Sequence, residues 1–188
     1  MRGTAVFLMS LFLAAPAFAT PKDSVHAAFT KFLAAKSFRA TVTNAADGEK
    51  VSDLSFVAPD RYRVHSTNGP EITIVGDDAW MNMNGRSMKM PMPIGKMVAQ
   101  YRNDKTLTQL DIANVSEVGS DSVGGEPAHV YHYTLTEPIK ADVKLWVSDK
   151  SGLPLQIESQ GSFMGKSGTS RVRYIDYGDA SIHIDVPN

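Results

Sequence analysis

Along the first stretch after the amino terminus, apolar residues recur with a helical period. From Asp23 to Lys36 they fall at Val25, Ala28, Phe29, Phe32 and Leu33, a spacing of i, i+3, i+4, i+7 and i+8, with Asp23 or Ser24 placed to cap the start. The period then changes to two. Phe38, Ala40 and Val42 alternate with Arg39, Thr41 and Thr43, and Leu54, Phe56 and Ala58 alternate with Asp53, Ser55 and Val57. In the next two strands Tyr62 and Val64 share a face opposite Arg61, Arg63 and His65, while Ile72 and Ile74 repeat the pattern. Turn chemistry separates these runs at Asp47-Gly48, Pro59-Asp60, Asn68-Gly69-Pro70 and Gly76-Asp77. A second helix is predicted over Ile94 to Leu110, where Met97, Val98 and Tyr101 share a face. Strand rhythm resumes from Asn114 to the end, broken at Gly124-Gly125, at 149–152, at 165–168 and at Gly178-Asp179. Many short antiparallel strands with one helix ahead and one inserted predict an α+β domain: a strongly curved antiparallel sheet or open barrel with an apolar concave face.

The first nineteen residues do not fit that domain. Met1-Arg2, the apolar run from Ala5 to Ala15 and the small-residue segment Pro16-Ala17-Phe18-Ala19 follow the charged, apolar and small order of a secretion signal. Cleavage is expected after Ala19, leaving 20–188 as one domain in an exported, periplasmic protein. A membrane-spanning helix needs roughly 20 apolar residues, more than this run offers, and no later stretch approaches that length. The chain has no Cys, so no lipid anchor through a cysteine is expected. A formal net charge of −1 with interspersed signs gives no electrostatic basis for nucleic-acid binding.

The densest local feature is the segment from Trp80 to Pro93, in which Asn84-Gly85 is a two-residue hairpin turn. That turn sets Met83 against Arg86, Met81 against Met88 and Ala79 against Met90. Met81, Met83, Met88 and Met90 then share one side of the ribbon, and Trp80, Asn82, Ser87 and Lys89 the other. Three readings stand for the four thioethers: adaptable filling of a core, the lining of a pocket for ligands of varying shape, or a Cu(I) site of soft donors.

Catalytic patterns are missing. His26, His65, His129, His132 and His183 are scattered, and His129 and His132, three apart on a predicted strand, point to opposite faces. Gly161-Ser-Phe-Met-Gly165 lacks the order of a nucleophile elbow, and no zinc-protease, phosphate-loop or dinucleotide fingerprint occurs. No enzyme activity, cofactor or conventional metal set is expected.

Several segments resemble the LolA/LolB-like superfamily of periplasmic lipoprotein carriers and related lipid-binding envelope proteins. They are Phe56-Val-Ala-Pro-Asp-Arg-Tyr62-Arg63, Ile74-Val-Gly-Asp-Asp-Ala-Trp80, Leu145-Trp-Val-Ser-Asp-Lys-Ser-Gly-Leu-Pro154, Tyr174-Ile-Asp-Tyr-Gly178 and Ile182-His-Ile-Asp-Val-Pro187. Together they span essentially the whole chain beyond the leader. The resemblance implies an unclosed β-barrel with helices forming a lid over a cavity for acyl chains. One position departs: the carriers have a basic residue before the proline, implicated in lid control, where this chain has Ala58. Arg61 or Arg63 is the candidate substitute.

The expected function is therefore a binding or carrier protein that shields acyl chains of lipids or lipoproteins. Sensing or scaffolding with an envelope protein partner, and Cu(I) binding, are the alternatives. The cavity residues expected are Phe29, Phe32, Phe56, Tyr62, Met81, Met83, Met88, Met90, Met97 and Tyr101.

Overall fold

A computed structural model describes residues 19–100, 112–136, 140–163 and 166–187 of the 188-residue chain. The leader up to residue 18 and Tyr101 lie outside the described residues. Helix α1 (Pro21–Leu33) begins earlier than the apolar period alone predicts. Its N-cap is Thr20, not Asp23 or Ser24: the Thr20 hydroxyl accepts the Asp23 N–H at 3.2 Å, and the Asp23 carboxylate accepts the Thr20 N–H at 3.1 Å. Pro21 explains the shift, since its fixed φ suits the first helical position and its missing N–H costs nothing there. Asp23 thus becomes the third helical residue of a capping box.

The strands are β1 (Ser37–Asn44), β2 (Lys50–Val57), β3 (Arg61–Ser66), β4 (Glu71–Val75), β5 (Asp78–Met83) and β6 (Arg86–Lys89). After helix α2 (Ile94–Gln100) come β7 (Ile112–Val123), β8 (Glu126–Leu135), β9 (Ala141–Ser148), β10 (Pro154–Phe163) and β11 (Lys166–Ile175). All pair antiparallel in one sheet of order β6-β5-β4-β3-β2-β1-β11-β10-β9-β8-β7. β6 and β7 are its two edges, so the sheet is an unclosed barrel, as predicted. Lys166, Ser167 and Gly168, expected in a turn, belong to β11 because Phe163 pairs with Lys166 and leaves only two residues for the connection. The expected strand over the last residues is not formed, and the chain beyond Ile175 runs as an irregular tail.

Register explains how the core is built, because directly paired residues share a face. One row runs Met88, Met81, Ile72, Val64, Leu54, Ala40, Tyr174 across six hairpin-linked strands and onto β11. A second runs Val42, Val172, Ile157, Leu145, Tyr131 through the other half. These rows form the inner face, and α1 lies against it: Val25 and Ala28, both fully buried, pack on Ile112, Tyr131, Tyr133, Val143 and Leu145. α2 seats against the other half at the β4–β5 turn. A Cβ added to Gly95 would lie 1.9 Å from the Gly76 carbonyl oxygen, so only glycine allows that approach.

The outer face is charged, with the pairs Lys50–Asp53 at 2.6 Å, Lys89–Asp78 at 2.7 Å and Arg171–Glu158 at 2.6 Å. These pairs are half-exposed and add little to stability. Two structures interrupt it. Ala128, Val130, Trp146 and Leu155 form a small second core, in which the Trp146 indole N–H donates to Asp121 at 2.9 Å. The tail forms the other, burying Ile182 and Ile184 while the Ser37 hydroxyl donates to the Asp179 carbonyl and Arg61 to the Ile184 carbonyl.

Candidate ligand-binding face

The inner face carries most of the residues expected to line a cavity, and its depth varies along the sheet. At the centre, Phe38 and Phe56 are buried with ring centroids 5.1 Å apart. Phe32 of α1 stands 5.1 Å from both Phe38 and Tyr174, Tyr62 5.0 Å from Phe56, and Tyr177 5.8 Å from Phe38. These rings form one aromatic block. Phe29 belongs to the other half, edge-on to Tyr133 with centroids 6.5 Å apart. Burial there pushes the Tyr133 hydroxyl well above its ordinary pKa, with Tyr174 nearby adding to the effect.

Away from the block the face becomes shallower. Leu54, Tyr62, Val64, Ile72 and Met81 are only half-buried, and they floor a strip running from the aromatic block toward β6. Met90 is half-buried as well. Met83 and Met88 are 53% and 64% exposed at the β5–β6 end, and Met97 is exposed on α2. The described expected residues thus separate into Phe32, Phe56 and Tyr62 in the block, Phe29 beside Tyr133, Met81, Met83, Met88 and Met90 on and beside β5 and β6, and Met97 on α2. Phe56 has no exposed surface and acts as support beneath the strip. Val64 and Ile72 were absent from the expected lining although their alternation placed them on the same side as Tyr62. Phe38, Tyr174 and Tyr177 were absent too, and only tertiary pairing brings them together.

A cleft of about 350 Å³ opens beside the aromatic block, between Lys31, Ala34, Ala35, Leu153 and Tyr177. Arg61 and Arg63 cannot reach the inner face from β3. Both alternate with Tyr62 and Val64 onto the outer side, where Arg61 is held by the tail carbonyl of Ile184 at 2.6 Å.

The remaining polar groups pair among themselves. His129 stands between Glu117 at 2.9 Å and Asp149 at 3.7 Å, and His132 lies 3.7 Å from Asp142. The Ser148 hydroxyl bonds to Glu126 and accepts the N–H groups of Lys150 and Ser151, which closes the β9–β10 turn. Among the described residues no group of three or more His, Asp or Glu is placed to hold a metal ion. No described helix is long and apolar enough to cross a membrane.

Neither a family model nor a curated protein matches the sequence. Solved structures do match the fold. The lipoprotein LppX of Mycobacterium tuberculosis superposes with a TM-score of 0.65 at 10% identity, over 88% of this chain and 98% of LppX. LprF of Mycobacterium bovis gives 0.62 at 13% identity, over 89% of this chain and 96% of LprF. A LolA superfamily protein from Nitrosomonas europaea aligns more loosely, at 0.34 and 14% identity over 85% and 93% of the two chains. This chain therefore shares the fold of LppX and LprF.

Proposed function

We propose that the protein binds an acyl chain of a lipid or lipid-modified protein along its inner face, and does so in the periplasm after loss of residues 1–19. The observation that carries this reading is the half-buried strip of Leu54, Tyr62, Val64, Ile72 and Met81, an apolar floor beside a packed aromatic block. Hydrocarbon gains roughly 0.8 kcal/mol per methylene on leaving water, so a chain of about 16 carbons is worth on the order of 10 kcal/mol to any surface that covers it. A carrier must recover most of that and still release its cargo. A face that is solid at one end and shallow at the other suits partial coverage, and methionine side chains repack around different shapes at small cost. The resemblance to the lipoprotein carriers and the fold shared with LppX and LprF support the same reading.

Uptake of a fluorescent fatty acid tests it. Met81→Asp with Met88→Asp places charge on the strip and is expected to abolish uptake with unfolding unchanged. Undiminished uptake overturns the proposal. Native mass spectrometry of protein prepared without detergent identifies the occupant: a carrier emerges with lipid or lipoprotein, whereas a sensor or scaffold emerges with a stable protein partner.

A further inference from the structure

Two of the four methionines of the β5–β6 hairpin, Met83 and Met88, are more exposed than an acyl-binding floor requires. Asn84 and Gly85 adopt the positive φ values, 53° and 75°, that a tight two-residue turn demands, and this fixes the register of everything behind them. Met81 pairs directly with Met88, Met83 follows Met81 on β5, and the Met90 N–H donates to the Ala79 carbonyl at 2.8 Å. All four therefore project from the same face. Directly paired Cβ atoms lie about 4.5–5.5 Å apart and diagonal ones about 7–8 Å. Each thioether sulfur sits one methylene beyond its Cβ on an unbranched, flexible arm, so sulfurs from Met81 and Met88 can meet at one point with a neighbour from either diagonal.

Core filling does not explain this arrangement, because Met83 and Met88 are mostly in solvent. Water is a poor environment for a cluster of neutral, polarizable donors. Such donors suit a soft, singly charged ion, whereas hard divalent cations prefer oxygen ligands and keep their water. Arg86, opposite Met83, is the adverse charge at this end, but its side chain is exposed at the turn and free to swing away.

We infer that the hairpin is a Cu(I) site in which Met81 and Met88 form the central donor pair and Met83 and Met90 flank it diagonally. The site is independent of acyl binding in its chemistry although it shares Met81 and Met88 with that face. Leucine keeps the apolar surface and removes the sulfur, so copper loss in a leucine variant reports on the donor atoms.

The test is anaerobic loading of the protein with Cu(I) against a competing chromogenic chelator, followed by metal analysis. The expected result is about one copper retained per chain, loss of that copper in Met81→Leu with Met88→Leu, and retention in Met92→Leu with Met97→Leu. Methionine-methyl NMR of the unaltered protein titrated with Ag(I), a closed-shell stand-in, gives a readout free of any folding defect: the resonances of Met81 and Met88 shift. Failure to retain copper, copper bound equally by the Met81 and Met88 variant, or silver shifts confined to methionines outside the hairpin overturns the assignment.

Discussion

Phe56 has no surface of its own, yet Phe38 and Tyr62 both lean on it across the β1–β2–β3 seam. Replacing it by alanine removes the support under the strip and is expected to cost about 3–5 kcal/mol, measured by urea unfolding. Tyr133 marks the other half of the inner face. Its hydroxyl is held un-ionised by burial, so its folded-state value lies above the unfolded one. The sign follows: this group favours neither state while both are protonated, and it lowers stability once pH rises past the ordinary tyrosine range, where the unfolded chain ionises first. Tyr133→Phe should therefore flatten the alkaline fall in stability, as read by unfolding at increasing pH. At this scale the sequence told sides well and depths badly. Alternation assigned Phe56, Tyr62 and Met81 to one face, but nothing local distinguished the fully covered Phe56 from the exposed Met88, since that depends on which strand is an edge and where α1 lies.

Three elements owe their placement to contacts of different range. α1 is set by its own first turn. Thr20→Ala should cost about 1 kcal/mol in unfolding experiments. Because Thr20 holds the Asp23 carboxyl below its ordinary range, the ionised contribution is complete above that range and is lost as pH falls through the lowered value, so variant and parent draw closer in strong acid. Cleavage after Ala19 would turn the Thr20 nitrogen, 3.1 Å from Asp23, into a charged amino group paired with that carboxylate. N-terminal sequencing of exported protein is expected to begin at Thr20. α2 depends on one absent side chain: Gly95→Ala drives a methyl into the Gly76 carbonyl and is expected to cost on the order of 1–3 kcal/mol, with amide-exchange protection lost in α2 and kept in β8 and β9. The tail depends on the outer sheet face, and Ile184→Ala should cost about 2–5 kcal/mol in the same unfolding assay. The hairpin register was legible beforehand because Asn84-Gly85 allows few alternatives. The tail was not, because Ile182-His-Ile alternates like a strand and only the lack of a pairing partner shows that it is a strap.

Across the whole molecule the sheet order was beyond local reading. Hairpins placed β1 to β6 side by side, but the junction of β1 with β11, which joins the two meanders, links residues at opposite ends of the chain and has no signature in either segment. The same order leaves β6 and β7 as edge strands, each paired on one side only among the described residues. In a ring of strands, girth is set by strand number and stagger and can change only by breaking ladder bonds. With its circumference interrupted, this one can flex like a split collar. On the acyl-binding proposal, a bulkier chain is expected to widen the gap between the two rims and its release to relax the bend, with every pair of strands still zipped throughout.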